Sequence, residues 1–573
     1  MPSRRGVVVF VLMFTALGVA VLLAALNLRR PSAVSAATLL VLEVPERLEE
    51  AELRFRPFSL GGFRRSRTLL HELVQGIRRA TRDDRVVGLV LHIDGLDWGW
   101  AKVAEVRDAV DAFRRSGKPV YASLGGGGER EYLLASAADV IAMPPTHVLQ
   151  IDGLALSTIF FRGTFDKVGI VPNFAHVGSY KSGVEGYTRT GMSAPARDAI
   201  EALLDDDFRL LVDTLAAARG LPADSVERLM DQGPFSSEAA IARGLIDTLL
   251  YDSEVDSAAI RAFPERPASL SFSRYLARVP SVKKAGNVAL IVASGTIVPG
   301  RSREAPGEGP LQGSESLISA LQDARQRRSI KAIVLRIDSP GGHAQSSDDV
   351  WREVERCRAT KPVIASMSDY AASGGYYLAV AADSIVAQPF TITGSIGIYA
   401  GKLNLLGLYR KLGLNVETVS RGRHAEMLSP YRDFSREEAD ILQAQLEEFY
   451  RGFVRRVARS RHLSEAVVDS MGQGRVWSGW AARDLGLVDA LGGIETALEM
   501  ARVKAGLEAE PVVERFPKIE LSFLERLFIG LLDEDEVSFG SLELPPVVRG
   551  WIAASQFPVG AIMALLPYSI EVR

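Results

Sequence analysis

The chain has 573 residues, 47% hydrophobic and 24% charged, with a formal net charge of -3. That length exceeds one ordinary core and asks for at least two large domains. The near-neutral charge gives no electrostatic reason to expect nucleic acid as a partner, and the single cysteine, Cys357 in the helical pattern DDVWREVERCRA, excludes an internal disulfide and reads as a core residue.

In chain order, the first feature is an uncharged run over residues 6–28, between Arg4, Arg5 and Arg29, Arg30. It is long enough to cross a bilayer and longer than the roughly 7–15 apolar residues of a cleavable signal peptide. Residues 1–30 are therefore expected to stay as a membrane anchor, although PSAVSAA at 31–37 carries small residues of the kind found at cleavage sites. The flanking arginines nearly balance, with an inside N-terminus favoured.

The body is written twice. RVVGLVLHID (85–94) answers KAIVLRID (331–338), GKPVYAS (117–123) answers TKPVIAS (360–366), and ASAADVIAMP (135–144) answers AVAADSIVAQP (379–389). FDKVGI (165–170) is matched by YRKLGL (409–414), and GMSAPARDAIEALLDD (191–206) by DFSREEADILQAQLEE (433–448). Each half reads strand, helix, strand with β-branched runs, the pattern of parallel βαβ units. The fold class expected is α/β, a tandem duplication with one repeat at 38–262 and the other at 287–505. The proline-bearing stretch 263–286 reads as a linker, 299–313 as a mobile surface loop, and 506–573 as a C-terminal extension packed on the body or on a neighbouring subunit.

The chemistry centres on SDYAASGGYYLAVAAD (368–383), where Ser373 stands between two alanines and two glycines. A serine nucleophile needs a base within hydrogen-bond reach. Just past the strand AIVLRID, SPGGHA (339–344) supplies a Gly-Gly pair, so backbone N–H groups of Gly342 and Gly374 are candidates to hold an oxyanion. His343 and His424 are possible bases, as is Lys402. The repeat favours another residue: HVGSYKSGVEGYTRTGMS (176–193) aligns with TVSRGRHAEMLSPYRDFS (418–435), setting Lys181 opposite Arg423, which cannot act as a base. Lysine can, if burial lowers its pKa. The first-half counterpart of Ser373 is Glu129. One half keeps the lysine and the other the serine, which suggests one composite site. Lys118 and Lys361 occupy matched positions and read as structural.

The motifs DSPGG, DYAASGGYYLA, TGSIGIY and VGSYKSGVE closely resemble the long, two-repeat bacterial signal peptide peptidase A (protease IV) family, and the similarity extends over nearly the whole chain. The resemblance implies a crotonase-like, Clp-protease-like fold in each half, a serine/lysine dyad of Ser373 and Lys181 split between the repeats, and an oxyanion role for Gly342 and Gly374. It also implies cleavage of released signal peptides and other unfolded apolar peptides, and a homo-oligomer, a tetramer in the family. The expectation is a serine endopeptidase without metal or cofactor, held by one span in a bacterial cytoplasmic membrane with its body on the outer side. Alternatives are an acyl-CoA enzyme of crotonase type and an inactive membrane scaffold.

Overall fold

The computed structural model describes residues 34–51, 68–279, 286–305, 309–517 and 562–565. The first half runs β1 (Thr38–Glu43), α1 (Leu70–Arg82), β2 (Val86–Ile93), α2 (Trp100–Arg115), β3 (Val120–Leu124), α3 (Glu129–Ala135), β4 (Val140–Met143), β5 (Val171–Val177), α4 (Ala194–Arg219) and β6 (Ala268–Ser271). Helix α1 buries Leu70, Leu73, Val74 and Ile77, the i, i+3, i+4, i+7 stripe that lays a helix on a sheet. Strand β2 is apolar and buried along most of its length, as a central parallel strand between two helical layers must be. The sheet order is Thr248–Leu249, β4, β3, β2, β1, β6, with every pairing parallel. Thus the stretch 263–286, expected as a linker, supplies an edge strand, and the helix after it (Phe272–Arg278) buries Phe272 and Tyr275.

The second half repeats the plan: β7 (Val288–Ser294), β8 (Ala332–Ser339), β9 (Gly341–His343), α5 (Ala344–Arg358), β10 (Val363–Ala372), α6 (Gly374–Ala379), β11 (Ile398–Asn404), α7 (Arg436–Arg461), α8 (Ile494–Lys504), β12 (Val513–Phe516) and β13 (Met563–Leu565). Its main sheet runs Val476–Ser478, Ile392–Gly394, β10, β8, β7, β12, with Ser384–Ala387 also paired to β10. Lys118 and Lys361 do the same work in both halves: each ammonium donates to backbone carbonyls at the end of a preceding helix, those of Ala80, Thr81 and Asp83 in one case and of Ala324 and Arg327 in the other. Cys357 is buried on α5, and burial pushes its thiol up to about 12.

A third sheet joins the halves. Its order is Arg303–Ala305, Gly309–Gly313, Thr296–Val298, β9, β13, β11, β5. The stretch 299–313, expected as a loop, therefore contributes two antiparallel strands. Strand β5 of the first half pairs antiparallel with β11 of the second along its whole length, from Val177 on Ile398 to Val171 on Asn404. Of the tail, β12 joins β7 and β13 lies between β9 and β11. The expected anchor lies outside the described residues, among which no helix is long and apolar enough to cross a membrane.

Buried charges tie the halves. Arg336 on β8 has no exposed surface and donates to Glu50 and Glu105 of the first half at 2.8 Å each and to Ser366 Oγ at 2.9 Å. Lys102 on α2 reaches Asp338 at 2.8 Å and Asp369 at 3.2 Å. The Lys102 backbone N–H also donates to Asp369 Oδ1, so a second-half carboxylate caps a first-half helix. Asp338 and Asp369 lie on the two strands that lead to the glycine pair and to Ser373, so this contact sets where both arrive.

Candidate active site

Strand β10 ends at Ala372 and α6 begins at Gly374, leaving one residue for the reversal. Ser373 makes it with φ at 54°, a conformation that L side chains rarely adopt and that persists only where the surroundings hold it. They do: its N–H donates to the Gly394 carbonyl at 2.8 Å and its carbonyl accepts from Tyr377 N at 2.8 Å. The side chain is fully buried.

Lys181 follows β5 and is brought across the boundary by the β5–β11 pairing. It is 1% exposed. Its Nζ donates to Ser373 Oγ at 2.9 Å, and it also meets Ser395 Oγ at 2.9 Å and the Ser395 carbonyl at 3.2 Å. Burial holds its pKa well below lysine's usual range. Room for the stem comes from two glycines. A methyl on Gly474 would lie 2.5 Å from Lys181 N, and one on Gly397 would lie 3.0 Å from Lys181 Cδ.

The glycine pair of SPGG lies beside this serine. Gly341 has φ at 103°, and Gly342 is so close to the neighbouring strand that a methyl there would stand 2.1 Å from the Ile297 carbonyl oxygen. A methyl on Gly341 would meet Gly374 N at 2.7 Å, so these backbones converge on one small space. Gly341, the neighbour of Gly342, and Gly374 thus come together beside Ser373.

The other candidates lie elsewhere. His343 sits at the start of α5, where its Nδ1 accepts from Ser346 N at 3.3 Å. His424 lies 3.6 Å from Glu437. Lys402 donates to the Met427 carbonyl at 2.6 Å over the face of Phe434. Arg423 is largely exposed, beside Glu437. Glu129 opens α3 and accepts N–H groups from Asp152 and Gly153 at 2.8 and 2.9 Å. The residue that sequence reasoning passed over is Ser395, which lies within the quoted TGSIGIY motif and accepts from Lys181 Nζ through both its hydroxyl and its carbonyl. Its left-handed φ of 50° is visible only in three dimensions.

A neutral amine on a hydroxyl can take its proton, and convergent backbone N–H groups can hold developing negative charge; together they suit nucleophilic acyl transfer. The family model described as Peptidase family S49 matches residues 112–262 and 355–508. The chain is 36% identical over 468 residues to a chloroplastic serine protease SPPA of Arabidopsis thaliana, covering 79% of this chain and 68% of that one. It is 31% identical to Protease 4 of Salmonella typhi, covering 77% and 72%, and 30% identical to Protease 4 of Haemophilus influenzae, covering 78% and 74%. Among solved structures, a ClpP1 mutant from Listeria monocytogenes aligns at a TM-score of 0.23 and 15% identity, over 36% of this chain and 90% of that one.

Proposed function

The chain belongs to peptidase family S49, and from that premise we propose that its serine-peptidase chemistry is run by Ser373 as nucleophile and Lys181 as general base, on extended apolar peptides such as released signal peptides. The observation that carries this reading is the 2.9 Å hydrogen bond between Lys181 Nζ and Ser373 Oγ, in a place where burial lowers the lysine's pKa and so favours the neutral amine that can accept the hydroxyl proton. Lys181 takes the hydroxyl proton as Oγ attacks the peptide carbonyl. Gly342 and Gly374 N–H groups hold the oxyanion, the protonated lysine gives its proton to the leaving amine, and water then hydrolyses the ester. Ser395 keeps the lysine aimed. The substrate lies extended between β9 and β11, adding its backbone to both edges, a mode open to unfolded chain and closed to a folded loop. Labelling by a fluorophosphonate probe tests the reading: wild type should label, while Ser373→Ala and Lys181→Ala should not. Labelling of Lys181→Ala at the wild-type rate would remove the lysine from the mechanism.

The apolar run at residues 6–28 supports a membrane-anchored enzyme with its body outside the cytoplasm. Protease added to intact spheroplasts should digest that body; protection until lysis would reverse the orientation.

Assembly into a ring of copies is supported by the repeat. First-half residues 171–177 pair with second-half 398–404, but their repeat counterparts, 413–419 and 154–160, form no strand, and Val419 and Ile159 are 83% and 48% exposed. The same pairing made between chains uses both segments and closes head to tail. Val419→Asp should reduce the mass measured by light scattering to that of a smaller species.

A further inference from the structure

We propose that residues 473–475 of the second half form a bracket for the general base, with Gln473 and Arg475 as positioning residues that hold Lys181 and Ser395 in register. This rests on the reading of Lys181 as the base given above. Lys181 lies in no helix or strand: residues 178–181 turn between β5 and a single helical turn at Ser182–Val184. An amine on a flexible four-carbon stem is aimed only if the turn that carries it is fixed from outside.

The fixing residues come from the other half, just before the strand Val476–Ser478. On one side the Gln473 carbonyl accepts from Tyr180 N–H at 2.7 Å, and Gln473 Oε1 accepts from Ser179 N–H at 3.3 Å. On the other, Gly474 N–H donates to the Ile396 carbonyl and the Arg475 carbonyl accepts from Ser395 N–H, both at 2.7 Å. The lysine's own turn and the serine that meets its amine thus hang on three consecutive residues. Backbone lies directly on backbone here, since a methyl on Gly178 would stand 2.5 Å from the Gln473 carbonyl carbon and oxygen.

Both side chains brace this contact. Gln473 has φ at 48°, a conformation that persists in a residue other than glycine only where the surroundings impose it. Tyr450 Oη accepts from its N–H at 3.2 Å and from its Nε2 at 3.1 Å, and Asp469 Oδ1 accepts from Nε2 at 2.6 Å. Arg475 donates to Tyr180 Oη at 3.2 Å and to Asp198 of α4 at 2.8 Å, with its guanidinium 4.9 Å from the Tyr180 ring and 4.6 Å from that of Trp477. Tyr180 directly precedes the lysine, so this grip reaches the base through one peptide unit. The repeat supplies an independent comparison. MDQGPFSS (230–237) answers MGQGRVWS (471–478), setting Gln232 against Gln473 and Pro234 against Arg475. Gln232 is exposed, and a proline has neither the charge nor the donors of an arginine. The half that receives no lysine within the chain carries the motif without its grip.

Steady-state hydrolysis of an apolar peptide, divided by active sites titrated to completion with the fluorophosphonate probe, tests this across pH. Arg475→Ala and Gln473→Ala should each lower kcat per labelled site by about 10–100-fold with KM nearly unchanged, the cost of misplacing a catalytic group by about 1 Å. A loosened turn admits water to the amine and raises its pKa toward lysine's usual value, so the acid limb of kcat/KM should move up by about one pH unit. Tyr180→Phe keeps the ring and removes only the hydroxyl, and should move both readouts the same way by less. Loss that follows only the number of labelled sites, with the wild-type kcat per site and acid limb, overturns the inference and leaves the proposed function standing. Should neither alanine variant fold, wild-type kinetics in Tyr180→Phe overturn it. Full activity of Lys181→Ala would remove the base itself, and both readings with it.

Discussion

Around Ser373 and around its first-half counterpart, Glu129, the same elements meet, and what they enclose differs. Tyr132 and Tyr376 fix the correspondence: each lies in the helix after the site and donates its hydroxyl to an equivalent carbonyl, Leu245 or Leu487. In that register the counterpart of Gly342 is Trp98, a buried indole whose Nε1 donates to the Pro45 carbonyl. Ser395 corresponds to Ile151, which is buried in the core. Glu129 satisfies its carboxylate on the N–H groups of Asp152 and Gly153. The first half has therefore filled the equivalent space with side chains, while its β5 is followed by Lys181, which reaches Ser373 of the other half. The second half has kept the space and exposed its own counterpart of the lysine, Arg423. Duplication allowed each copy to lose what the other supplies.

The strongest way to break this comparison is to remove either half's contribution. Ser373→Ala and Lys181→Ala should each lower kcat by about 10⁴-fold or more, and the double variant should lose little beyond that, because groups acting as one unit are non-additive. His343→Ala and His424→Ala should keep most activity. Glu129→Ser combined with Ser373→Ala should restore nothing, since Trp98 and Ile151 still occupy the first-half space. Activity in that double variant, measured with the same peptide, would mean that the first half had never lost its site.

A second asymmetry lies in the core. Arg336 and its repeat counterpart His92 stand at the same point of VLRID and VLHID. His92 pairs within its own half, with Asp256 at 2.9 Å, but Arg336 depends on Glu50 and Glu105 of the other half. The guanidinium beside Glu50 holds that carboxyl at about 2. Removing one member of a buried pair leaves the others uncompensated, at about 3–5 kcal/mol. Arg336→Ala should show that loss in urea unfolding, whereas His92→Ala should lose much less. Equal losses would make the dependence mutual.

The lysine itself is a cost to folding. Unfolded lysine holds its proton up to about pH 10.4, and the buried Lys181 gives it up at a much lower pH. Between those two values the unfolded state binds more protons, so stability rises with pH. Lys181→Met should melt a few degrees above wild type at pH 7, with the gap closing toward pH 10. Wild-type kcat/KM should fall as the pH drops through the lowered lysine pKa. A gap that does not change with pH would place the proton elsewhere.

Much of this was legible in the sequence because the chain contains its own alignment. The paired strands, the matched Lys118 and Lys361, and the contrast between Lys181 and Arg423 follow from setting one half on the other. What stayed hidden depends on non-local pairing. The stretches 263–286 and 299–313 carry proline and glycine, which locally read as linker and loop, yet short strands form there because β1 and Thr296–Val298 offer open edges. Ser395 could be quoted within a motif but not assigned, since only the fold turns its hydroxyl onto a lysine more than 200 residues earlier in the chain. Nor does composition show that three residues of a tail broken by prolines fill a slot beside Gly342.

The smallest expected effect sharpens the comparison most finely. Arg423 is 76% exposed and pairs with the similarly open Glu437, and surface pairs of that kind contribute about 0–1 kcal/mol. Arg423→Glu should leave the melting temperature and peptide turnover nearly unchanged. Its effect on assembly is another matter. In the ring proposed above, residues 413–419 would pair with 154–160 of the next copy as β5 pairs with β11. Such a pairing would carry Arg423 toward Glu129 of the next copy, as β5 carries Lys181 to Ser373 within the chain, so opposite charges would meet where the other site holds a serine and a lysine. Reversing Arg423 would set like charges against each other there, so Arg423→Glu should shift the assembly toward smaller species in light scattering, and adding Glu129→Arg should restore it. If both single reversals assemble as wild type does, the repeat relation ends within one chain and the exposed segment at 413–419 has no part in the ring.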